Sequence, residues 1–218
     1  PWKIEIGADN NLYIADFSTN YGTIYQADPN VDTSVVVLEG IGSEVNPTVH
    51  TSCNGSPIVK GSTALGNLQV WAIDGQWSGG RNRLLRWDIN GTALPYNSAP
   101  SAQLGSAGNG SVNDVQSDLD IAPDGKFFLC QNRAIGTPNV YNSTQVSLRV
   151  YDTDGVTVLW DSLSNSITAG LGTDFLATAR SVAVSPDGKK MAVGRNDTKV
   201  WVVGLTNGIP DITQTNLI

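Results

Sequence analysis

The sequence predicts an all-β fold made of four copies of a four-stranded antiparallel sheet. In the last copy, residues 181–184 and 190–193 alternate apolar with small or polar side chains, the period of a strand that buries one face. Between them, Pro186-Asp187-Gly188 has the residue types of a tight turn between antiparallel strands. A third apolar run at 200–205 follows, so the three runs form a meander.

The first two copies show the same succession of short strands and turn formers. The first copy has predicted strands at 2–6, 12–15, 23–27 and 34–38, with turns at 8–11 and 28–30. The second copy has predicted strands at 57–60, 68–73 and 83–89, and its fourth strand lies near either 93–94 or 103–104. Each strand is bounded by Gly, Pro, Asn or Asp, which favours hairpin connections.

The third and fourth copies complete the pattern. Strands are predicted at 117–122, 126–130, 147–152 and 156–160 in the third copy, and a last strand at 212–217 follows the opening meander of the fourth. A sustained helical pattern is absent from the sequence, although 164–179 has room for one turn or a short helix.

The first turn of each copy recurs at a nearly constant interval. These turns lie at Asp9, Gly66, Asp124 and Asp187, about sixty residues apart. Four-stranded meanders repeated around a common axis are the blades of a β-propeller, which leaves few exposed sheet edges. We therefore predict a single propeller domain or propeller segment, with blades at about 1–40, 41–105, 112–163 and 178–218.

The number of blades in the complete ring stays open. Four blades can close by themselves, or they can be part of a ring of roughly six to eight blades completed by further sequence or by a second copy. A sandwich or an open solenoid is the remaining alternative. An incomplete ring would expose two apolar blade faces, which normally require a partner.

Only 15% of the residues are charged and Gly, Asn, Ser and Thr are abundant, a composition that favours a secreted or cell-surface protein rich in turns. The chain has 218 residues, a net charge of −7 and scattered cations, which argues against a nucleic-acid partner. No apolar run approaches the roughly 20 residues that a membrane helix needs. The chain opens at Pro1, so we expect a processed protein or a piece of a larger one. Cys53 and Cys130 are either one disulfide or two free thiols.

The predicted connections differ in length between the two ends of the sheets. First-to-second and third-to-fourth turns are short, whereas the other connections are long: 40–56, 74–82, 95–116, 132–145 and 163–178. Long loops on a rigid scaffold are where binding usually takes place. We expect the ligand face there.

Five side chains in these connections are candidate ligand contacts: Tyr21, Trp77, Arg81, Arg133 and Tyr141. Aromatic faces with polar neighbours suit a carbohydrate, a peptide or another protein. The alternative is that the aromatic residues among them pin their own loops. The tryptophans on predicted strands are expected to pack between blades: Trp71, Trp87, Trp160 and Trp201.

Asp114, Asp118 and Asp120 form an acidic cluster at the entrance to a predicted innermost strand. Their oxygens are suitable ligands for Ca²⁺, which is the metal or cofactor that this cluster suggests. The sequence lacks the Asp-x-Asp-x-Asp-Gly loop of dedicated calcium sites. The alternative is that these aspartates cap turns at strand ends.

Catalytic signatures are missing from the sequence. His50 is the single histidine, which excludes a multi-histidine metal site. It lies away from any Gly-x-Ser-x-Gly elbow, and phosphate-binding glycine loops are absent. We predict no catalytic residue.

Two motifs resemble known bacterial propeller repeats. Ala122-Pro-Asp-Gly-Lys126 and Ser185-Pro-Asp-Gly-Lys189 look like their first-to-second-strand turns, and 9–16 with 22–29 is similar to a pattern of NHL, YncE and SMP-30/gluconolactonase-type propellers. The resemblance implies blades of a larger secreted or surface protein. The SMP-30 type holds a divalent metal with Glu, Asn and Asp, roles for which Glu5, Asn113 or Asp118 would stand here without a residue-by-residue match.

Three functions follow from these observations. The first is a non-catalytic extracellular module that binds or scaffolds through its long loops. The second is an SMP-30-like metal-dependent hydrolase or lactonase. The third is a self-assembling structural subunit, a homo-oligomer whose open blade faces pair.

Overall fold

The computed structural model describes residues 3–16, 23–30, 35–38, 57–61, 65–75, 82–89, 102–106, 114–135, 140–141, 146–177, 179–195 and 198–218. The chain divides into two compact units, Pro1–Val112 and Asn113–Ile218. The prediction of one propeller domain with the four blade ranges above stays a prediction.

The first unit contains two four-stranded antiparallel sheets. Sheet 1 consists of β1 (Lys3–Ile6), β2 (Leu12–Asp16), β3 (Thr23–Ala27) and β4 (Val35–Leu38). Sheet 2 consists of β5 (Ile58–Lys60), β6 (Gln69–Gly75), β7 (Asn82–Asp88) and β8 (Ala102–Ser106). In both sheets the strands are hydrogen-bonded in chain order, as a meander requires.

The second unit also contains two antiparallel sheets. Sheet 3 consists of β9 (Asp114–Ile121), β10 (Phe127–Ile135), β11 (Val140–Tyr141), β12 (Leu148–Tyr151) and β13 (Val158–Asp161). After the helix α1 (Ser162–Thr168), sheet 4 consists of β14 (Ala179–Val184), β15 (Lys190–Arg195), β16 (Val200–Thr206) and β17 (Ile209–Leu217). The main strand order again follows the chain, with β11 paired to the far end of β10.

The two Pro-Asp-Gly turns form as predicted. The N–H of Gly125 donates to the carbonyl oxygen of Ala122 at 2.8 Å, and the N–H of Gly188 donates to that of Ser185 at 2.8 Å. Both glycines have positive φ, at 88° and 65°, which is why the turn ends on glycine. The same local geometry therefore starts both sheets of the second unit.

The core of the first unit lies between sheets 1 and 2. Tyr13 and Trp87 are fully buried there with Leu68 and Val70. The hydroxyl of Tyr13 donates to Asp9 Oδ2 at 2.8 Å and accepts from Gln26 Nε2 at 3.0 Å. Burial and the neighbouring carboxylate of Asp9 raise the pKa of Tyr13, so this phenol remains a donor.

The core of the second unit is shared by sheets 3 and 4. It joins Phe128, Val150 and Trp160 of sheet 3 to Val182 and Met191 of sheet 4. Trp201 packs against this cluster, with its ring edge on Phe175 at a centroid distance of 5.9 Å. Packing of the strand tryptophans between sheets is confirmed for Trp87, Trp160 and Trp201. Trp71 is buried but belongs to neither core cluster, so its packing between blades stays a prediction.

Two predicted loop boundaries were wrong. The predicted long loop 132–145 begins inside a strand, because β10 continues to Ile135 and pairs with β11. A backbone ladder does not need the apolar alternation on which the prediction relied. Of the two alternatives for the fourth strand of sheet 2, the later one is confirmed by β8, so the predicted short turn at 90–91 does not lead directly into that strand. The predicted long loop 95–116 was also wrong, because it contains β8 and the start of β9.

Three further features bear on function. The short helix expected near 164–179 is α1, capped by Asp161, whose Oδ1 accepts from the N–H of Ser164 at 2.7 Å.

Cys130 is a free thiol and is buried, whereas Cys53 lies outside the described residues. Within the described stretches, no helix has the length and apolar character needed to cross a membrane.

Candidate functional site

Two aspartates of β9 hold the first strand of the neighbouring sheet. Asp118 Oδ2 accepts from the backbone N–H of Val182 at 3.0 Å, and Asp120 Oδ2 accepts from that of Val184 at 2.6 Å. The two donors are two residues apart in β14, as the two acceptors are in β9, and both pairs follow the same chain direction. β9 and β14 therefore run parallel, side by side. We call this pair of contacts the aspartate bridge.

The second oxygen of each aspartate is also bonded. Asp118 Oδ1 accepts from the N–H of Leu119 at 3.0 Å, and Asp120 Oδ1 accepts from that of Ile121 at 2.9 Å. β14 is the first strand of sheet 4, and its edge N–H groups would otherwise need another partner. The bridge provides these partners and links the two sheets without a continuous ladder.

The same aspartates were predicted to bind Ca²⁺ together with Asp114. The backbone of Asp114 lies at the start of β9, but the structure does not describe its side chain. In the described part of the chain, no three His, Cys, Asp or Glu residues cluster closely enough to hold a metal ion. The calcium site stays a prediction, and an ion bound by Asp118 or Asp120 would have to compete with the N–H donors of the bridge.

Cys130 lies beside this bridge in the interior of the second unit. It is opposite Asp118 in the pairing of β10 with β9. Burial, reinforced by the charges of Asp118 and Asp174, raises the pKa of the Cys130 thiol well above its ordinary value. The residue therefore behaves as a buried apolar side chain rather than as a nucleophile or thiolate ligand.

Three predicted site residues share one end of sheet 3. Arg133 pairs with Asp114 across β10 and β9, and Tyr141 pairs with Ala134 across β11 and β10. The register thus places Asp114, Arg133 and Tyr141 along neighbouring strands at the end opposite the Pro-Asp-Gly turn. The structure describes their backbones and not their side chains.

The remaining predicted contacts fall outside the described residues. This applies to Tyr21, Trp77 and Arg81, and also to His50 and Asn113. Glu5, the other residue considered for a metal role, lies in β1 of the first unit. Their assignment as ligand or metal contacts stays a prediction.

A buried carboxyl group fixes the connection between sheets 3 and 4. Asp174, 3% exposed, accepts from the N–H of Ser147 at 2.8 Å, the hydroxyl of Ser162 at 2.5 Å and the N–H of Leu176 at 2.8 Å. Ser166 adds a bond to the carbonyl oxygen of Ser162 at 2.6 Å. These contacts tie residues 162–177 to the start of β12, so this long connection rests on a fixed base.

Sequence reasoning did not single out Asp174. It lies in a stretch without strand periodicity, and its partners Ser147 and Ser162 are distant in sequence. Burial raises the pKa of Asp174, while the hydrogen bonds from Ser162, Leu176 and Ser147 oppose that effect. All of these hydrogen bonds fix the connection between sheets 3 and 4, so a structural role accounts for the buried carboxyl group of Asp174.

The opposite end of the second unit is formed by short turns that contact one another. Asn207 and Gly208, with φ of 54° and 73°, make the two-residue turn between β16 and β17. A side-chain carbon at Gly208 would collide with the carboxylate of Asp124, which also pairs with Lys126. The described turns at this end of the second unit therefore pack closely against one another.

Comparison with known proteins supports the fold and leaves the function open. No protein-family model matches the chain, and no curated protein sequence matches it. The structure is similar to one described as "Structure of Dos1 propeller", with a TM-score of 0.56 at 12% identity. The match covers 91% of this chain and 43% of that one, so the chain spans less than half of that propeller's length. The fold is accordingly that of an all-β propeller with four-stranded antiparallel blades.

Proposed function

We propose that this chain is a non-catalytic propeller module of the cell exterior that binds or scaffolds a ligand through the long-connection end of its sheets. We favour a carbohydrate as the ligand, because three of the five candidate contacts are aromatic and the other two are arginines. A peptide or another protein is the alternative partner class.

The observation that carries this proposal is the shared position of Asp114, Arg133 and Tyr141. Their strands end together on a sheet whose first strand is held by the aspartate bridge. Polar and aromatic residues gathered at one end of a rigid sheet form a typical recognition surface. The buried bonds of Asp174 add a second fixed base at the connection leading into sheet 4.

The hydrolase alternative is less well supported. A metal-dependent lactonase needs carboxylate oxygens that are available to an ion, whereas all four carboxylate oxygens of Asp118 and Asp120 accept backbone N–H groups. Calorimetric titration with Ca²⁺ distinguishes the two functions. Tight binding that Asp118→Asn abolishes would favour the hydrolase.

The binding proposal is tested with the intact chain on a glycan array and a peptide panel. Two variants remove candidate contacts, Trp77→Ala with Arg81→Ala and Arg133→Ala with Tyr141→Ala. We expect each pair to weaken binding of the best glycan at least tenfold. The thermal midpoint should stay that of the wild type, because none of the four residues belongs to the core clusters of the described residues.

A matched control changes exposed side chains at the opposite end of the second unit. Val156→Ala with Lys189→Ala should leave glycan binding unaltered, because both residues belong to the short turns. If both contact pairs bind the glycan as well as wild type, the long-connection end is not the ligand face. If either pair lowers the thermal midpoint strongly, its residues pin their own loops.

A further inference from the structure

Sheet 1 ends in a regular and uncharged edge strand. β4 (Val35–Leu38) is hydrogen-bonded to β3 on one side, and no described strand pairs with its other side. Its sequence, Val-Val-Val-Leu, contains neither a charged residue nor Pro or Gly. Its register with β3 continues from Val35 to Leu38 without a shift. The backbone groups of β4 therefore lie in the regular row that a further extended chain needs for pairing.

The outermost strands of the other three sheets carry features that hinder such pairing. A register shift interrupts the ladder beside each of them, and bulges of this kind twist an edge away from a new partner. The shifts lie between Arg83 and Leu84 beside β8, between Val150 and Tyr151 beside β13, and between Val203 and Gly204 beside β17. β17 also contains Pro210 and Asp211. Among the described outermost strands, β4 alone lacks all of these features.

The outer face of sheet 1 extends to β4 as two apolar rows. Tyr13 and Gln26 lie on the buried face, and the alternate residues form the outer face. The register places Ile4, Ile14, Tyr25 and Val37 in one row and Ile6, Leu12, Ala27 and Val35 in the other. A strand added beside β4 would place every second residue at the end of one of these rows. The position therefore favours apolar, β-branched residues at alternate positions of its occupant.

We propose that β4 binds an extended peptide segment of another protein as a fifth strand of sheet 1, with apolar β-branched residues at alternate positions of that segment. Main-chain hydrogen bonds would supply the affinity, and the two apolar rows the selectivity. A four-residue edge is roughly 13 Å long, which suits a short segment. Two globular copies joined by this edge alone would bury far less than the roughly 1,200 Å² of a stable interface. The proposal is independent of the carbohydrate proposed above.

Titration of the intact chain with a labelled peptide tests the proposal. The probe is a fluorescein-labelled peptide of sequence Lys-Val-Thr-Val-Thr-Val-Lys, and binding is followed by fluorescence anisotropy. Its control has the same sequence with an N-methyl group on every residue between the lysines. We expect saturable binding of the probe and at least about tenfold weaker binding of the control, because methylation removes the N–H donors and retains the side chains. Absence of probe binding, or equal binding of both peptides, would overturn the proposal.

Variants of the chain locate the binding position. Val35→Lys with Val37→Lys places charges at the ends of both apolar rows and should weaken probe binding at least about tenfold. Two controls change exposed residues: Ile6→Lys, in the row of Val35 but on β1, and Val158→Lys, on the edge strand β13. Both should bind the probe as the wild type does. Weaker binding in Ile6→Lys would place the peptide on the sheet face, and weaker binding in Val158→Lys would place it on β13, so either result would contradict addition to β4.

Amide hydrogen exchange of the wild type locates the peptide without any substitution. Saturating probe should slow exchange in β4 and leave exchange in β13 and β17 unchanged, because protection follows the new hydrogen bonds. Unchanged exchange in β4 would contradict strand addition even if the double variant of β4 fails to fold. Sedimentation velocity without peptide should show a monomer. A wild-type dimer that Val35→Lys with Val37→Lys dissociates would instead assign the edge to a second copy and overturn the peptide proposal.

Discussion

The carboxylate of Asp118 accepts a hydrogen bond from the backbone N–H of Val182, 64 positions further along the chain, at 3.0 Å. Asp120 repeats the contact with Val184 at 2.6 Å. Side chains of one sheet thus bind the backbone edge of the next sheet, and the sheets keep a parallel arrangement of their first strands. Each sheet can retain its own twist, because a side-chain link does not force two sheets into one ladder.

Removing the aspartate bridge should destabilise the second unit. We expect Asp118→Ala with Asp120→Ala to lower the free energy of unfolding by about 2–5 kcal/mol, because two edge N–H groups lose their acceptors. Urea denaturation followed by tryptophan fluorescence measures the change. Asp28→Ala is the control, since that carboxylate accepts bonds within its own exposed turn and should lose less than about 1 kcal/mol. Equal losses in both variants would show that the bridge does not contribute.

Asp174 gives the second unit a distinctive pH dependence. Its pKa is raised in the folded state, so the folded chain binds a proton there more readily than the unfolded chain does. The stability contributed by the protonated form is therefore fully present below the unfolded pKa of about 3.9 and is lost as pH rises through the folded pKa.

The comparison with Asp174→Asn isolates this effect. Unfolding free energies of both proteins are measured from pH 3 upward at about half-unit steps. The advantage of wild type over the variant should shrink as pH rises above about 4. A constant difference across that range would mean that the pKa of Asp174 is the same in both states.

Gly208 tests the packing of the short-turn end. A side-chain carbon there would meet the Asp124 carboxylate and would also occupy a positive φ of 73°. Gly170→Ala is the matched control, because its φ is 80° and nothing lies within 4 Å of the added carbon. We expect Gly170→Ala to lose about 1 kcal/mol from backbone strain alone and Gly208→Ala to lose clearly more. Thermal unfolding of the two variants side by side checks the difference, and equal losses would contradict the close contact.

The Tyr13 hydroxyl should stabilise the first unit through its two hydrogen bonds. Tyr13→Phe removes the acceptor of Gln26 Nε2 and the donor to Asp9, and we expect a loss of about 1–3 kcal/mol. Among the described residues, Gln26 Oε1 has no partner in wild type. Replacing both groups, as in Tyr13→Phe with Gln26→Leu, should therefore destabilise less than Tyr13→Phe alone. Chemical denaturation measures the free energies of unfolding of the single and the double variant. If the losses from the two substitutions simply add, the result would argue against the hydrogen-bond network.

The local parts of the fold could be predicted from the sequence. Alternation at 181–184 and 190–193 and the Pro-Asp-Gly turns depend on neighbouring residues, so their strands and hairpins were predicted correctly. The pairing of β10 with β11 was missed because residues 132–141 lack apolar alternation. Local patterning therefore predicted the repeated sheets but not the irregular pairing of β10 with β11.

The candidate site was less predictable for a physical reason. An Asp-x-Asp pair on a strand has the composition of a metal site and also of a backbone acceptor, and spacing does not distinguish them. What distinguishes them is the partner, and Val182 and Val184 are remote in sequence from both aspartates. Asp174 was missed for the same reason, because two of its donors are Ser147, just before β12, and Ser162 of α1.

Amide hydrogen exchange at Val182 and Val184, followed with residue resolution, tests the placement of β9 beside β14 most directly. Both N–H groups lie on the free edge of sheet 4, so their protection depends on Asp118 and Asp120. We predict that both amides exchange as slowly as that of Val203 in the core. In the variant Asp118→Ala with Asp120→Ala, exchange at Val182 and Val184 should become faster before exchange in the rest of sheet 4 does. Fast exchange at Val182 and Val184 in wild type would contradict the aspartate bridge and, with it, the side-by-side arrangement of the two sheets.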